Sequence, residues 1–174
     1  IDKNEDQAIK IATEIIDNFQ NIYEIKWLNM MRDKLGLFGE DKDDLELINN
    51  LLNWMQLNQA DYTNTFCYLM NIGSIHDQIY NDKNFIDWSK NWGKRILING
   101  GSKENSLELM KKNNPIVIPR NHKVEEALEA ANENNLKPMN SLLSILKTPY
   151  SKKNNIEEYQ FPSKDKKYRT FCGT

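Results

Sequence analysis

Cysteine is scarce in this sequence, and the two thiols it has, Cys67 and Cys172, lie far apart. Small secreted domains are commonly held together by several closely spaced disulfides, so this chain does not fit that class. The pattern is typical of a protein kept in a reducing compartment. We therefore expect a cytoplasmic protein.

The sequence also lacks long apolar runs and a charge of one sign. No run approaches the roughly 20 apolar residues that span a bilayer. The formal net charge is -2, and lysines alternate with acidic residues, whereas nucleic-acid binders usually carry a basic stripe. We predict neither a membrane nor a nucleic-acid partner.

The first residue is Ile1 rather than methionine, and a helical pattern begins within the first ten residues. This beginning predicts a piece of a longer protein. Chemistry performed by the whole protein could then depend on residues outside these 174.

Helical periodicity dominates the chain. Apolar residues recur at helical spacing from Ala8 to Leu35, and Gly36 follows as a C-cap glycine, which predicts one long helix. Further helical patterns follow candidate caps at Asp43 or Asp44, Asp61, Ser102 and Asn121, cover residues 85–98, and begin again near Pro138. Without a convincing strand pattern, the prediction is an all-α fold: a helical domain over 1–150 and an extended, lysine-rich tail over 151–174.

Motifs for catalysis, metal binding or phosphate binding are missing. The possible soft metal ligands are His76, His122, Cys67 and Cys172, and no two of them have a ligand spacing. There is no Gly-x-Ser-x-Gly motif and no phosphate-binding glycine loop. We predict no catalytic, cofactor-binding or metal residue in this chain.

The adjacent acidic pairs Asp43-Asp44 and Glu125-Glu126 have a simpler interpretation. Neighbouring helical residues point in different directions, so neither pair converges on one atom. Both pairs lie in predicted first turns, where negative charge complements the helix dipole. Helix capping and solvation explain them.

Three residues deserve individual predictions. Arg120 precedes a predicted helix, where it could hold a carboxylate or backbone carbonyls, so it is a possible structural clamp. Cys67 lies on an apolar helix face and is predicted to be a buried, inert thiol. Cys172, third from the end of the sequence, is predicted to be reactive, because cysteines near chain ends gain little from packing.

Several motifs occur together in a fixed order. They are Arg32-Asp33-Lys34-Leu35-Gly36, Asp61-Tyr62-Thr63-Asn64-Thr65-Phe66, Phe85-Ile86-Asp87-Trp88, the run from Asn114 to His122, the run from Val124 to Ala131, Lys147-Thr148-Pro149-Tyr150, and the terminal Cys172. As a set, this order resembles the C-terminal part of the selenoprotein O family. Members of that family are kinase-like proteins that transfer AMP from ATP to protein hydroxyl groups.

The resemblance implies that this chain is the helical end of a kinase-like C-lobe with its extension. The family's ATP- and metal-binding residues lie upstream of the matched region, so ATP and Mg²⁺ are implied for the full-length protein only. The partners implied are the upstream kinase-like core of the same chain and protein substrates. Cys172 occupies a position that holds selenocysteine or cysteine in the family, and it is thought to pair with a cysteine near the activation segment. This sequence departs from the family pattern by ending Cys-Gly-Thr and by having Pro119 before Arg120.

Two hypotheses follow. The first is that this chain is the C-terminal region of a protein adenylyltransferase, that it is inactive alone, and that Cys172 responds to redox conditions. The second is a stand-alone helical interaction module without enzymatic activity, which would account equally well for the missing catalytic motifs.

Overall fold

The computed structural model describes residues 4–72, 78–151 and 156–163. Over these ranges the chain forms nine α-helices and one turn of 3-10 helix, Gln78–Asn81. The α-helices are α1 (Glu5–Asp17), α2 (Phe19–Lys34), α3 (Asp44–Leu57), α4 (Tyr62–Leu69), α5 (Lys83–Arg95), α6 (Lys103–Asn113), α7 (Asn121–Asn132), α8 (Lys137–Leu146) and α9 (Glu157–Gln160). The same ranges contain no strand, so the predicted all-α fold class is confirmed. None of their helices combines the length and apolar character needed to cross a bilayer.

The single long helix predicted from Ala8 to Leu35 is divided into α1 and α2 at Asn18. This residue keeps nearly helical angles, with φ -80° and ψ -9°, and its N–H still bonds the carbonyl of Glu14 at 3.1 Å. Asparagine is a weak helix former, because its side chain competes for backbone hydrogen bonds. The interruption is therefore local, and the N–H of Ile22 still bonds the carbonyl of Asn18 at 3.1 Å.

The glycine predicted to end this helical region does so. Gly36 has φ +69°, in the left-handed region, and the N–H of Leu37 bonds the carbonyl of Arg32 at 2.9 Å. That bond is the long one of a Schellman motif. A Cβ at Gly36 would lie 2.6 Å from the carbonyl oxygen of Ser106, so glycine is also needed for close contact with α6.

The core lies between the second half of α2 and the helices α3 to α6. Its fully buried members include Met31, Leu35, Ile48, Leu51 and Phe66. An aromatic cluster extends it: the rings of Trp54 and Phe85 lie 4.5 Å apart, and those of Tyr68 and Tyr80 stack at 3.9 Å. Trp54 and Trp88 are buried in this core, and Trp27 and Trp92 pack against it.

The helix starts agree with the predicted caps, with one shift. The side chain of Ser102 accepts a hydrogen bond from the N–H of Asn105 at 3.1 Å. The first turn of α8 contains Pro138. Before α7, however, the N-cap is Arg120 rather than Asn121, and its side chain forms no capping hydrogen bond.

The helices α7 and α8 pack against each other, and part of the segment after them returns to the core. We expected an extended tail from residue 151, but residues Glu157–Gln160 form the short helix α9. Ile156, at its start, is only 2% exposed and belongs to the core cluster. One apolar side chain followed by a polar run gives too weak a pattern for sequence periodicity to detect.

Candidate functional site

Arg120 connects three separate segments of the chain. Its two terminal nitrogens donate to the two carboxylate oxygens of Asp61, at 2.6 and 2.8 Å. One of them also donates to the backbone carbonyl of Gln160 at 2.6 Å. The start of α7 thereby contacts the start of α4 and the end of α9. We call these three residues the Arg120 cluster.

The cluster depends on a cap that the sequence predicts. Asp61 is the N-cap of α4, and its Oδ1 accepts the N–H of Asn64 at 2.8 Å. The same carboxylate therefore caps the start of α4 and accepts hydrogen bonds from a planar guanidinium, whose paired donors match two carboxylate oxygens. The Arg120 side chain is 10% exposed and that of Asp61 is 21% exposed.

Further contacts attach α9 beside this cluster. Gln160 is buried, and its side-chain amide donates to the carbonyl of Ile116 at 3.5 Å. The ammonium of Lys123 bonds Glu158 at 2.6 Å and lies 5.8 Å from the ring centre of Tyr159. The α9 segment is thus held by one buried amide, one arginine and one lysine.

Cys67 lies next to the Arg120 cluster in a fully buried position. Its sulfur is 3.8 Å from the carbonyl oxygen of Pro115. Burial, the largest cause, and the charge of Asp61 raise the pKa of this thiol to about 11, although Arg120 and Lys34 partly oppose the rise. Because the thiolate is the reactive form, Cys67 is protonated and unreactive at neutral pH.

A second charged cluster was not predicted from the sequence. The carboxylate of Asp44 is buried and accepts hydrogen bonds from Arg32 Nε at 2.7 Å and Arg95 Nε at 2.6 Å. Arg95 also donates to the carbonyls of Phe38 and Gly39, both at 3.1 Å. The carboxylate of Asp44 thus joins α2, α3 and α5. We call Asp44, Arg32 and Arg95 the Asp44 cluster.

The interpretation of Asp44 as a solvated capping residue is therefore wrong. Burial alone would raise the pKa of its carboxyl, but hydrogen bonds from Arg95, Arg32 and the Asp41 N–H outweigh burial and hold that pKa below its ordinary value. A signal was present in the sequence: Asp44 precedes Ile48 and Leu51 at helical spacing, on the apolar face of α3. Its neighbour Asp43 is exposed, as predicted.

The remaining candidate residues are not brought together. Cys172, the predicted redox residue, and His76 lie outside the described residues. His122 is in α7, and its pKa is lowered by partial burial and by the nearby charges of Lys123 and Arg120. Within the described residues, no three histidine, cysteine or acidic side chains form a group that could hold a metal ion. Both clusters have their charges paired within the protein, an arrangement that favours structural stabilisation over chemistry on a substrate.

A family profile and the individual relatives that match this chain all point to one protein family. Residues 6–147 match the sequence profile of the family described as Protein adenylyltransferase SelO. The chain is 52% identical over 176 aligned positions to a protein of Pelagibacter ubique named Protein nucleotidyltransferase YdiU, which covers all of this chain and 36% of that protein. Proteins of the same name from Nitrosococcus oceani and Alcanivorax borkumensis are 43% and 42% identical, and the match covers 36% and 37% of their lengths. The chain thus spans little more than a third of each of these relatives.

Proposed function

Because this chain belongs to the family Protein adenylyltransferase SelO, we propose that it forms the C-terminal helical region of a protein that transfers AMP from ATP to the hydroxyl groups of protein side chains. The observation that carries the proposal is the match to the family over residues 6–147, together with a relative that aligns with the whole chain at 52% identity. The relatives' name, Protein nucleotidyltransferase YdiU, agrees with this reaction class. The kinase-like core would be supplied by the remainder of a longer chain.

We further propose that these residues alone do not catalyse the transfer. In both clusters, the arginines and carboxylates bind each other and the backbone, so they serve packing rather than a nucleotide. The described residues offer no group of acidic side chains fit to hold Mg²⁺. We therefore assign the binding of ATP and Mg²⁺ to the rest of the protein.

Within this proposal, Arg120 is a structural clamp. Its guanidinium joins α4, α7 and α9 through Asp61 and the carbonyl of Gln160, and its side chain is only 10% exposed. Gln160, one of its contacts, precedes Cys172 in the same segment. The clamp would thereby fix where the terminal segment leaves the helical body.

The redox role belongs to Cys172 in this proposal. Its partner would be a cysteine of the kinase-like core, and disulfide formation would change the transfer rate. The burial and raised pKa of Cys67 support this assignment, because they leave Cys172 as the thiol able to react. A cytoplasmic location stays a prediction from the scarcity of cysteine.

The test is AMP transfer by the purified full-length protein, measured by mass spectrometry of protein acceptors with ATP and Mg²⁺. We expect transfer by the full-length protein and none by the 174-residue chain. Cys172→Ser should remove the difference in rate between oxidising and reducing buffers, whereas Cys67→Ser should leave that difference in place. A full-length protein that folds but transfers no AMP would contradict the proposed transfer and favour a protein-interaction role without enzymatic activity.

A further inference from the structure

The helix α1 carries an apolar face that nothing in the described structure covers. None of its residues is buried. Seven apolar side chains on α1 and the start of α2 are exposed, and we call them the apolar stripe: Ile9, Ile11, Ile15, Ile16, Phe19, Ile22 and Tyr23. The exposed fractions reach 63% at Ile15, 71% at Ile16 and 66% at Phe19.

These residues share one face of the two helices. Ile11, Ile15, Phe19 and Ile22 follow one another at spacings of three or four, which places them one above the other on a helix. Asn18 keeps nearly helical angles, so the face continues from α1 into α2. The rings of Phe19 and Tyr23 are already stacked, with centroids 6.3 Å apart. The face is therefore continuous and partly preorganised.

The two ends of this helical region differ. At the C-terminal end of α2, Met31 and Leu35 are buried in the core, on the side of the helix opposite to the stripe. An amphipathic helix with an exposed apolar face is typical of an element that packs against a further body. A continuous exposed patch of this kind marks an interaction surface.

The charges of α1 argue against a lipid surface as the occupant. Its polar residues include the acidic side chains Glu5, Asp6, Glu14 and Asp17 and a single lysine, Lys10. Helices that lie on membranes carry lysine and arginine on the polar face, because cellular membranes are negatively charged. An apolar protein surface fits this helix better.

We propose that the apolar stripe is the docking surface for the nucleotide-binding part of the same polypeptide. The inference rests on the proposed function, in which that part precedes Ile1. The chain corresponds to 36% of its relatives' length, so a body large enough to cover the stripe exists in those proteins. Because α1 is the helix nearest to that body in sequence, the two would meet at a high effective concentration within one chain.

The test uses hydrogen–deuterium exchange of residues 5–23 in the full-length protein, with two variants on α1. Ile15→Glu places a charge in the stripe. Lys10→Glu, the matched control, places the same side chain at an exposed position whose neighbours one turn away, Asp6, Gln7, Thr13 and Glu14, are all polar. We expect slow exchange in the wild type, exchange faster by about tenfold or more in Ile15→Glu, and no change in Lys10→Glu.

Two results would overturn the inference. One is rapid exchange of residues 5–23 in the monomeric full-length protein, which would mean that the stripe is exposed there as well. The other is protection that rises with protein concentration and is lost when Ile15→Glu dissociates a dimer, which would assign the stripe to a second copy. AMP transfer, measured in parallel, separates this inference from the proposed function: protected α1 without transfer overturns only the function, and transfer with unprotected α1 overturns only the docking surface.

Discussion

The two arginine–carboxylate clusters of this chain differ in depth and in what they join. Asp44, with a fully buried side chain, accepts hydrogen bonds from two arginines and joins the core helices α2, α3 and α5. Asp61 keeps 21% of its side chain exposed, binds one arginine and links α4 to α7 and α9. Loss of the first should unfold the body, whereas loss of the second should release the C-terminal helices.

The difference follows from desolvation. A buried charge is stabilised only by its partners, so removing one partner leaves the others both buried and uncompensated. A partly exposed carboxylate can regain water when its partner is removed. Depth should therefore rank the effects of substitutions more reliably than the number of contacts, and the predictions below test that ranking.

The largest effect is expected for Asp44→Ala. The substitution leaves Arg32 and Arg95 buried without their carboxylate, and breaking such a pair lowers the free energy of unfolding by about 4–5 kcal/mol. Urea denaturation monitored by circular dichroism measures the loss. The matched control is Asp43→Ala, at the exposed neighbouring position, which should lower stability by less than about 1 kcal/mol. Equal effects of the two substitutions would contradict the ranking by depth.

A smaller effect is expected for Arg120→Ala, about 3 kcal/mol in the free energy of unfolding, because hydrogen bonds to Asp61 and to the Gln160 carbonyl are lost together. Arg120→Lys should recover only part of it, since an ammonium cannot donate to both carboxylate oxygens in the planar arrangement. Hydrogen exchange should become faster in α7 and α9 and stay unchanged in α3 and α5. Faster exchange throughout the protein would mean that the Arg120 cluster supports the body as well.

The sequence predicts one of these clusters better than the other, for a physical reason. The cap at Asp61 and the position of Arg120 before a helix are local features, so both residues could be singled out from neighbouring sequence. The Asp44 cluster joins residues that are far apart in the chain, and an aspartate at a helix start has an adequate local explanation in capping. Only its place on the apolar face of α3 indicated burial.

The same limit applies to the fold. Some predictions depend only on local chemistry, and these are confirmed: the all-α fold class, the end of α2 at Gly36, and the caps at Asp61 and Ser102. The division between α1 and α2 affects only Asn18, within an otherwise strong helical pattern. The short helix α9 is stabilised by contacts with Arg120 and Lys123, which are distant in sequence. Neither leaves a periodic pattern in the sequence.

The Cys67 thiol, which lies next to the Arg120 cluster, should make the free energy of unfolding depend on pH. The pKa of Cys67 is raised from an ordinary value of 9.0 to about 11. A raised pKa means that the folded chain holds the proton more tightly than the unfolded chain, so the contribution is complete below pH 9 and is lost as pH rises toward 11. The loss is roughly 2–3 kcal/mol.

Urea midpoints measured between pH 8 and pH 11 in wild type and Cys67→Ala would show this contribution. The wild type should lose more stability than the variant over that interval, because the variant has no thiol to ionise. Cys172→Ala is the control and should keep the wild-type slope. Parallel slopes for wild type and Cys67→Ala would mean that the Cys67 thiol ionises as readily in the folded chain as in the unfolded one.

The smallest effect is expected for Lys123→Gln, at the solvent side of the Arg120 cluster. The Lys123 side chain is only 14% exposed, but the carboxylates of Glu126 and Glu158 are 55% and 61% exposed, and pairs with such carboxylates contribute about 0.5 kcal/mol because water and salt screen them. The unfolding midpoint of this variant should equal that of the wild type in 1 M salt and fall slightly below it at low salt. Lys90→Gln, which removes a fully exposed pair with Asp87 on α5, gives the matched control. If Lys123→Gln instead destabilised the protein as strongly as Arg120→Ala, the lysine would also hold α9 in place, and the exposure of the carboxylate partner, 21% at Asp61 and 61% at Glu158, would not determine the size of the effect.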